Sequence, residues 1–277
     1  MVELEKQRCG FVSITGLPNS GKSTLLNGIL NEKISIISKK VQTTQKAIKG
    51  IFSKGIYQII FIDTPGMPSK KSYLDKSISR SIYHSANESN LNIFVHDAKK
   101  EFNSTYFEII FPILRQNKKN IMVINKIDLV DKKNLITTVQ KSKEFFLFNE
   151  ILFVSAKKKK GLNQLKKIVC KYLPVKKWIF NNEQSTDHKL EFLLSEITRE
   201  KIFQLLNQEL PYKINIKTKI IKNKVFQNIF VNKTSQKPIF IGKNGEKIKQ
   251  IGIRSRKEIE KKLNKKIYLE LKVKLKK

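Results

Sequence analysis

The residues with the clearest chemical potential form a glycine-rich turn close to the start of the chain. The turn matches the spacing G-x-x-x-x-G-K-[ST], with an apolar run before it and a helical pattern after it. It consists of Gly16, Leu17, Pro18, Asn19, Ser20, Gly21, Lys22 and Ser23, and Thr24 continues it into the helix. Such a turn wraps backbone N–H groups around phosphates, brings a lysine ammonium to the β- and γ-phosphates and offers a serine hydroxyl to Mg²⁺. The turn therefore predicts a nucleoside triphosphate site with bound Mg²⁺.

A second motif, Asp63-Thr64-Pro65-Gly66, ends the apolar run YQIIFID. Because it follows the phosphate-binding turn in the chain, we expect Asp63 to reach the Mg²⁺ shell through water and the Gly66 N–H to contact the γ-phosphate. The next residue is Met67. A thioether cannot orient an attacking water as a glutamine does. We therefore expect slow intrinsic turnover, which a partner or a second cation accelerates.

The stretch SKKVQTTQKAI, between these two motifs, contains the adjacent threonines Thr43 and Thr44. A threonine here is expected to close over Mg²⁺ and the γ-phosphate and to let go after hydrolysis. We favour Thr44, and a surface β-turn without this role is the alternative. The residues of these three segments predict Lys22, Thr44 and Gly66 as catalytic groups and Ser23, Thr44 and Asp63 as Mg²⁺ ligands.

The stretch NIMVINKIDLV predicts which base is bound. Guanine presents N1–H and N2–H₂ as adjacent donors, and the Asp128 carboxylate can accept from both, whereas adenine would leave this carboxylate unpaired. Asn125 is expected to bridge the guanine edge and the phosphate-binding turn, with the Lys126 stem against the ring. After the next strand-like run, VSAK supplies backbone N–H groups to the base oxygen from Ser155, Ala156 and Lys157. The combined motifs predict a GTP site, with Met67 also among its lining residues.

Strand-like runs and amphipathic stretches alternate in the first part of the chain. FVSIT, YQIIFID, NIFVHD, NIMVIN and EILFVSA are the apolar runs, and helix-length segments separate them. This rhythm predicts repeated βα units, and together with the phosphate-binding turn it predicts an α/β P-loop NTPase fold, with a mostly parallel sheet and helices on both faces. The helix GLNQLKKIVCKYLP ends at Pro174, so we place this domain at residues 1–175 and a polar linker at 176–188.

The remaining residues, 189–277, predict a small α+β domain. A helix begins with Asp187 as its N-cap and stops at Pro211, and two strand-like runs follow it. An apolar run, PIFI, then leads through a glycine turn into a long basic helix. The closing run KIYLELKVKL alternates apolar and polar residues as a half-buried strand does.

The turn IGKNG resembles the I-G-x-x-G signature of a KH domain. Its two glycines let the turn lie flat against a nucleic-acid backbone, with basic side chains at phosphates and apolar ones along the groove. Ile251 is also expected to line that groove, and the alternative is an ordinary helix-starting turn. The predicted RNA-binding residues are Ile241, Gly242, Lys243, Asn244, Gly245, Lys247, Ile248, Lys249 and Arg254.

The composition permits nucleic-acid binding without identifying it. The 56 Lys and Arg residues exceed the 23 Asp and Glu residues by 33, but only six are arginines. The excess is spread along the chain, as +19 over residues 1–179 and +14 over 180–277. The two cysteines, Cys9 and Cys170, predict no structural disulfide and fit a reducing cytosol. Neither a secretory leader nor a transmembrane helix is expected, so we predict a cytoplasmic protein.

With both domains in view, the chain resembles the Era family of ribosome-assembly GTPases. The resemblance runs from about residue 10 to 275 and includes SGKSTLLN, QTT, DTPG, NKID, LSEITREKIFQLLNQELPY and IGKNGEKIKQIG. It implies a type II KH domain that binds the 3′ end of small-subunit (16S) rRNA on the pre-30S particle. It also implies that Asn19 holds an activating K⁺ and so belongs with the catalytic residues. Leu17, Ser20 and His96 depart from the family pattern, and the family's further C-terminal helix is expected to be missing.

We therefore predict a GTPase that assists maturation of the small ribosomal subunit, with GTP controlling its binding to rRNA. The cofactors are GTP or GDP, Mg²⁺ and, by resemblance, K⁺. One alternative is an RNA-binding clamp with little hydrolysis. Another is a GTPase at the inner surface of the cell membrane, held there by its basic charge.

Overall fold

A computed structural model of the chain describes residues 6–37, 47–66, 76–117, 119–206 and 214–276, except for the side chains of 76–79. The chain divides into two compact units. The first comprises Met1–Ser35 and Val41–Asp187, and the second comprises Ile36–Lys40 and His188–Lys277. Thr43, Thr44 and Met67 lie outside the described residues, so their predicted roles stay predictions.

The first unit is built on a six-stranded sheet, which confirms the predicted mostly parallel architecture. Its strands are β1 (Arg8–Thr15), β2 (Ile48–Lys54), β3 (Tyr57–Asp63), β4 (Leu91–Asp97), β5 (Asn120–Asn125) and β6 (Glu150–Val154). They lie in the order β2-β3-β1-β4-β5-β6, and β2 alone of these runs antiparallel to its neighbour. β2 was not predicted from the sequence. Gly50 and two lysines break its apolar pattern, as an edge strand tolerates.

Helices cover both faces of this sheet, as predicted. They are α1 (Lys22–Leu30), α2 (Lys76–Glu88), α3 (Ser104–Leu114), α4 (Lys132–Phe145) and α5 (Leu162–Lys171). Ile121 and Val123 of β5 point into an apolar cluster with α1 and α5, while Met122 and Ile124 point into another with α2 and α3. Successive strand residues face opposite sides, so a strand buried on both faces is a continuous apolar run.

The parallel arrangement determines where the chemical motifs lie. The carboxyl ends of β1, β3, β4 and β5 share one edge of the sheet, and the phosphate-binding turn, the Asp63 motif and the Asn125 motif follow three of them. Ligands of open parallel sheets bind at this edge. The fold therefore brings together motifs that are far apart in the sequence.

The second unit is the predicted α+β domain. Its elements are α6 (Leu190–Leu205), β7 (Asn215–Ile221), β8 (Lys224–Val231), α7 (Lys237–Ile241), α8 (Glu246–Leu263) and β9 (Tyr268–Leu275). The sheet order is β7-β8-β9, antiparallel between β7 and β8 and parallel between β8 and β9. Its apolar core contains Phe203, Ile229 and Phe240, and also Ile36, which is only 2% exposed.

The predicted N-cap of the long helix was wrong. The helix α6 begins at Leu190 with Lys189 as its N-cap, and Asp187 instead pairs with Lys49, whose Nζ lies 3.0 Å from the carboxylate. The neighbouring residues, predicted as a linker, lie against the first unit. The Thr186 hydroxyl donates to the Lys49 carbonyl, and Gln58 Oε1 accepts from the N–H groups of Ile179 and Phe180.

No helix in the described part of the chain is long and apolar enough to cross a membrane.

A buried histidine lies one residue before the end of strand β4. His96 is fully buried, with Nδ1 2.8 Å from the Tyr106 hydroxyl and Nε2 3.1 Å from the Lys100 carbonyl. A neutral ring satisfies both contacts when Nε2–H donates to the carbonyl and the tyrosine hydroxyl donates to Nδ1. Burial lowers the pKa of His96 to about 4, against the opposing effects of the Lys100 carbonyl and Asp97. The network anchors the loop that follows β4.

This histidine makes stability fall as the pH falls. Between the unfolded pKa of 6.5 and the folded value of about 4, the unfolded state binds the extra proton, so acid favours unfolding in this window. We expect urea unfolding to show a loss about 2 kcal/mol larger from about pH 7 to about pH 5 in the wild type than in H96V/Y106F. The double variant removes the His96 imidazole and the Tyr106 hydroxyl together. Equal losses in the two proteins would contradict the assignment.

Candidate functional site

The glycines of the phosphate-binding turn are required by close backbone approaches. Gly16 and Gly21 have φ angles of +144° and +98°. A Cβ at Gly21 would lie 2.2 Å from Asn125 Nδ2, and one at Gly16 would lie 2.4 Å from the Val95 carbonyl oxygen. No larger residue fits either position. The turn is thereby held tightly between β4 and β5.

Lys22 is buried beneath this turn. Its ammonium donates to the carbonyl oxygens of Gly16 and Leu17, each at 3.0 Å. Burial lowers the pKa of Lys22 to about 8, and the nearby Asp63 carboxylate partly opposes this effect. A polyphosphate placed in the turn would restore the favourable environment for the charged form. The lysine is therefore positioned as an anion-binding group.

Asp63 forms the second part of the phosphate end of the site. Its Oδ2 accepts a hydrogen bond from the Ser23 hydroxyl at 2.7 Å, while Oδ1 is buried with no hydrogen-bond partner among the described residues. Burial raises the pKa of Asp63, opposed first by the Ser23 hydroxyl. An unpaired buried carboxylate oxygen costs free energy unless an ion or a water occupies it. The oxygen donors of Ser23 and Asp63 suit Mg²⁺, which takes few protein ligands.

The rest of the Asp63 motif has two different roles. The Thr64 hydroxyl donates to the Ile14 carbonyl at 2.8 Å, so this side chain is turned into the sheet. A Cβ at Gly66 would lie 3.0 Å from Pro18 Cα. Pro65, which lies between Thr64 and Gly66 in the sequence, is buried. The backbone at Gly66 therefore packs closely against the phosphate-binding turn, and its contact with a terminal phosphate stays a prediction.

Asn125 joins the phosphate-binding turn to the base-binding motifs. Its Nδ2 donates to the Ser20 carbonyl at 2.9 Å, and its Oδ1 accepts from the N–H groups of Lys126 and Ala156 at 2.8 and 3.0 Å. The side chain is buried, with 2% of its surface exposed. Three loops are thus connected through one amide group.

Lys126 connects the same loops through its ammonium. Nζ donates to the Asn19 carbonyl and to Asp97 Oδ2, both at 2.6 Å. The residue adopts a φ of +65°, in the left-handed region. Asp97 was not predicted from the sequence. Its place at the carboxyl end of β4, opposite Asn125 in the register, was the available signal.

The predicted base-recognition residues also come together. Asp128 Oδ1 accepts from the Ser155 hydroxyl at 2.6 Å, which lowers the pKa of Asp128 and keeps its carboxylate ionised. Ser155 and Ala156 are buried, and Lys157 is exposed beside them. An ionised carboxylate next to backbone N–H groups complements a base edge that has two donors and a carbonyl oxygen.

Two residues of the phosphate-binding segment have environments that the motif did not predict. The Ser20 hydroxyl is buried and has no hydrogen-bond partner among the described residues, while Thr24 is half-buried in the first turn of α1. Ser35 was missed altogether, although its hydroxyl donates to Asp63 Oδ2. Ser35 belongs to no motif, so no pattern in the sequence indicates its contact with Asp63.

The glycine turn of the second unit connects α7 and α8. Gly242, Asn244 and Gly245 have φ angles of +75°, +51° and +77°. A Cβ at Gly242 would lie 2.7 Å from Lys247 Cγ. The basic side chains predicted to contact phosphates are all exposed: Lys243, Lys247, Lys249 and Arg254. The turn can therefore present backbone and lysines to an extended ligand.

The apolar residues near this turn divide into two groups. Ile241 is 40% exposed and Ile248 is half-buried, so both can contribute to a groove. Ile251 is fully buried in the core of the unit. The prediction that Ile251 lines the groove was therefore wrong, because its side chain is enclosed by the core of the unit and offers no surface to a ligand.

Comparisons with known proteins identify relatives of both units. Residues 11–126 match the family described as 50S ribosome-binding GTPase, and residues 200–277 match the KH domain family. GTPase Era of Maricaulis maris is 35% identical over 97% of this chain, which covers 92% of that protein. GTPase Era of Ehrlichia canis is 36% identical over 97% of this chain, which covers 93% of it.

Solved structures agree with these relatives over nearly the whole chain. A crystal structure of a point variant of Aquifex aeolicus Era bound to GDP·AlF4⁻ gives a TM-score of 0.89 at 38% identity. The match covers 98% of this chain and 94% of the Aquifex aeolicus chain. The same values hold for a crystal structure of Era in complex with MgGDPNP and nucleotides 1506–1542 of 16S ribosomal RNA.

The lowered pKa of Lys22 predicts that nucleotide binding takes up protons. In the free protein the pKa is about 8, and the phosphates of a bound nucleotide raise it, so binding near this pH protonates part of the lysine population. Affinity should then fall as the pH rises above about 8. Calorimetry at that pH, in buffers with different ionisation enthalpies, measures the uptake. Binding without proton uptake would show that Lys22 is already fully charged.

Proposed function

The chain belongs to the Era family of GTPases, and from this membership we propose that it couples GTP hydrolysis in its first unit to rRNA binding by its second. The proposed RNA is the 3′ region of small-subunit (16S) rRNA, as in the Era complex with nucleotides 1506–1542. The proposed setting is the maturing pre-30S particle. GTP and GDP are expected to give different affinities for that RNA.

The observation that carries the guanine assignment is the arrangement around Asp128. Its ionised carboxylate lies at the Ser155 hydroxyl, next to the Asn125 amide that holds the phosphate-binding turn. Guanine offers two adjacent donors to such a carboxylate, and adenine offers an acceptor instead. A base bound here is expected to place its phosphates on the turn, because Asn125 and Lys126 connect the two ends of the site.

The phosphate end supports Mg²⁺-assisted hydrolysis. We propose Ser23, Asp63 and Thr44 as the residues that hold the ion, of which Ser23 and Asp63 lie within hydrogen-bond distance of each other. When bound, Mg²⁺ neutralises charge that develops on the phosphate oxygens. Lys22 and the backbone N–H groups of the turn contribute to the same stabilisation, and the Gly66 N–H is proposed to contact the γ-phosphate.

A second cation is proposed at Asn19. This residue has a φ of +63° and is exposed at the outer side of the phosphate-binding turn. Met67, which follows the Asp63 motif, has no group that could orient water. K⁺ near the phosphates is therefore proposed to supply positive charge that no side chain of this motif provides. Comparison of GTP turnover in KCl and in NaCl at equal ionic strength tests this point.

The second unit supports RNA binding through its glycine turn. The exposed Lys243 and Asn244 lie between Gly242 and Gly245, whose backbone conformations admit a close approach of a phosphodiester chain. The exposed Ile241 offers an apolar contact to an unstacked base. Sequence-selective RNA recognition requires such a groove, since charge alone gives binding without selectivity.

Substitution of Asp128 tests the base assignment. An asparagine at this position presents a donor in place of one acceptor, which suits the N1–H and C2 carbonyl of xanthine rather than the two donors of guanine. We expect D128N to lose at least about a hundredfold in GTP affinity and to gain affinity for XTP. Fluorescence titration with labelled nucleotides measures both.

The matched control is K158A, which removes the lysine whose Nζ lies 3.7 Å from Asp128 Oδ2. Its effect is expected to be small, because Lys158 is exposed and a solvated lysine at this distance contributes little. Loss of GTP and XTP binding together in D128N, with an unchanged unfolding temperature, would contradict the proposed base contact.

The coupled RNA function is tested with an oligonucleotide of the 16S rRNA 3′ tail. We expect tighter binding with a GTP analogue than with GDP, and weaker binding of a scrambled oligonucleotide, at physiological salt. K243A should weaken binding and reduce the salt dependence by about one phosphate contact. K265A, at an exposed position after α8, is the control.

Equal binding of both oligonucleotides in both nucleotide states would contradict the coupled function. It would leave a basic GTPase that binds RNA through charge alone.

A further inference from the structure

A serine outside all the motifs contacts the proposed Mg²⁺ site. Ser35 follows α1 in the chain and is 1% exposed. Its hydroxyl donates to Asp63 Oδ2 at 2.8 Å, the same oxygen that accepts from Ser23 at 2.7 Å. Two hydroxyl donors therefore occupy Oδ2, while Oδ1 has no hydrogen-bond partner among the described residues. Ser35 and Ser23 together leave Oδ1 as the oxygen that a ligand could contact.

The backbone of Ser35 is itself held by helix α1. Asn27 Oδ1 accepts from the N–H groups of Ile34 and Ser35, both at 2.9 Å, and Asn27 Nδ2 donates to the Ser35 carbonyl at 2.6 Å. Asn27 lies one turn after Ser23 on the same helix. The amide thus fixes the position of the Ser35 hydroxyl relative to the helix that carries Lys22 and Ser23.

The two hydroxyl donors differ in their proposed tasks. Ser23 is a proposed ligand of the ion, so its oxygen serves Mg²⁺ as well as Asp63. Ser35 is not a proposed ligand of Mg²⁺. Its hydroxyl can therefore donate to Asp63 Oδ2 whether or not the ion is bound. Mutation of a group that orients a metal-binding carboxylate typically lowers metal affinity by about 10- to 100-fold.

We propose that Ser35, held by Asn27, is a positioning residue that orients the Asp63 carboxylate toward Mg²⁺. The inference rests on the proposed GTP and Mg²⁺ site. Ser35 is not proposed to touch the nucleotide. It acts through Asp63, so its loss should weaken the contribution of Mg²⁺ to nucleotide binding and leave the metal-free affinity unchanged.

The experiment measures GDP dissociation from the full chain as a function of Mg²⁺ concentration, with a fluorescent GDP. S35A should require about tenfold more Mg²⁺ for half-maximal slowing of GDP release. GDP affinity in EDTA should match the wild type. S35T, which retains a hydroxyl, should require less Mg²⁺ than S35A for half-maximal slowing of GDP release. Rescue of this kind would not follow from a general packing defect.

S142A is the matched control. Ser142 is a fully buried serine of α4 whose hydroxyl donates to the Val139 carbonyl at 2.9 Å, so the same atom is removed from the same unit away from the site. Unfolding temperatures of the nucleotide-free proteins show whether both variants fold. If S35A does not fold, S35C replaces it, since a thiol has similar size and donates weakly.

The outcomes separate this inference from the proposed function. A Mg²⁺ midpoint for S35A equal to that of S142A, with normal GDP binding in the wild type, would overturn the role of Ser35 alone. Absence of GDP binding by the wild type in EDTA and in Mg²⁺ would overturn the proposed nucleotide site and this inference together. A shifted midpoint with unchanged metal-free affinity would establish the positioning role.

Discussion

The hydrogen bonds of the Asn125 side chain are the interaction on which the nucleotide site depends. One buried amide satisfies the Ser20 carbonyl and the N–H groups of Lys126 and Ala156. Its removal would leave three polar groups unpaired in a dry environment, each at a cost of about 1–3 kcal/mol. The requirement for glycine at position 21 follows from the same contact, because the amide occupies the space that a Cβ would need. Phosphate and base recognition are therefore properties of one packed unit.

Much of this site could be predicted from the sequence because its motifs are local. Residues 16–23 and the stretch around Asn125 each carry their chemistry within a few positions, and the apolar runs predicted the strands that bring them to one edge. Ser35 and Asp97 could not be predicted in this way. Their partners, Asp63 and Lys126, lie 28 and 29 residues further along the chain. Only the fold brings these pairs together. At Asp187, an ion pair with Lys49 replaced the local capping role that its sequence position favoured.

Charge and shape contribute differently to the second unit. The net charge of +33 is spread along the chain and attracts any polyanion. The turn from Gly242 to Gly245 is a localised feature, since Gly242, Asn244 and Gly245 adopt positive φ angles that an ordinary helix start does not have. Selectivity for a particular RNA would depend on this local geometry and on Ile241 beside it, while the lysines would set the strength and the salt dependence.

The position of Ile36 has a consequence for how the molecule forms during synthesis. Its side chain belongs to the apolar core of the second unit, yet the next residue of that core is Ile202, about 165 residues later in the chain. The adjoining Ser35 belongs to the first unit. The second unit is therefore discontinuous in the chain. Because domains fold as they emerge from the ribosome, Ile36 remains outside its core until α6 and the later strands of the second unit have been synthesised. A fragment that started at His188 would never receive it, and its core would contain a cavity of the size of one isoleucine side chain.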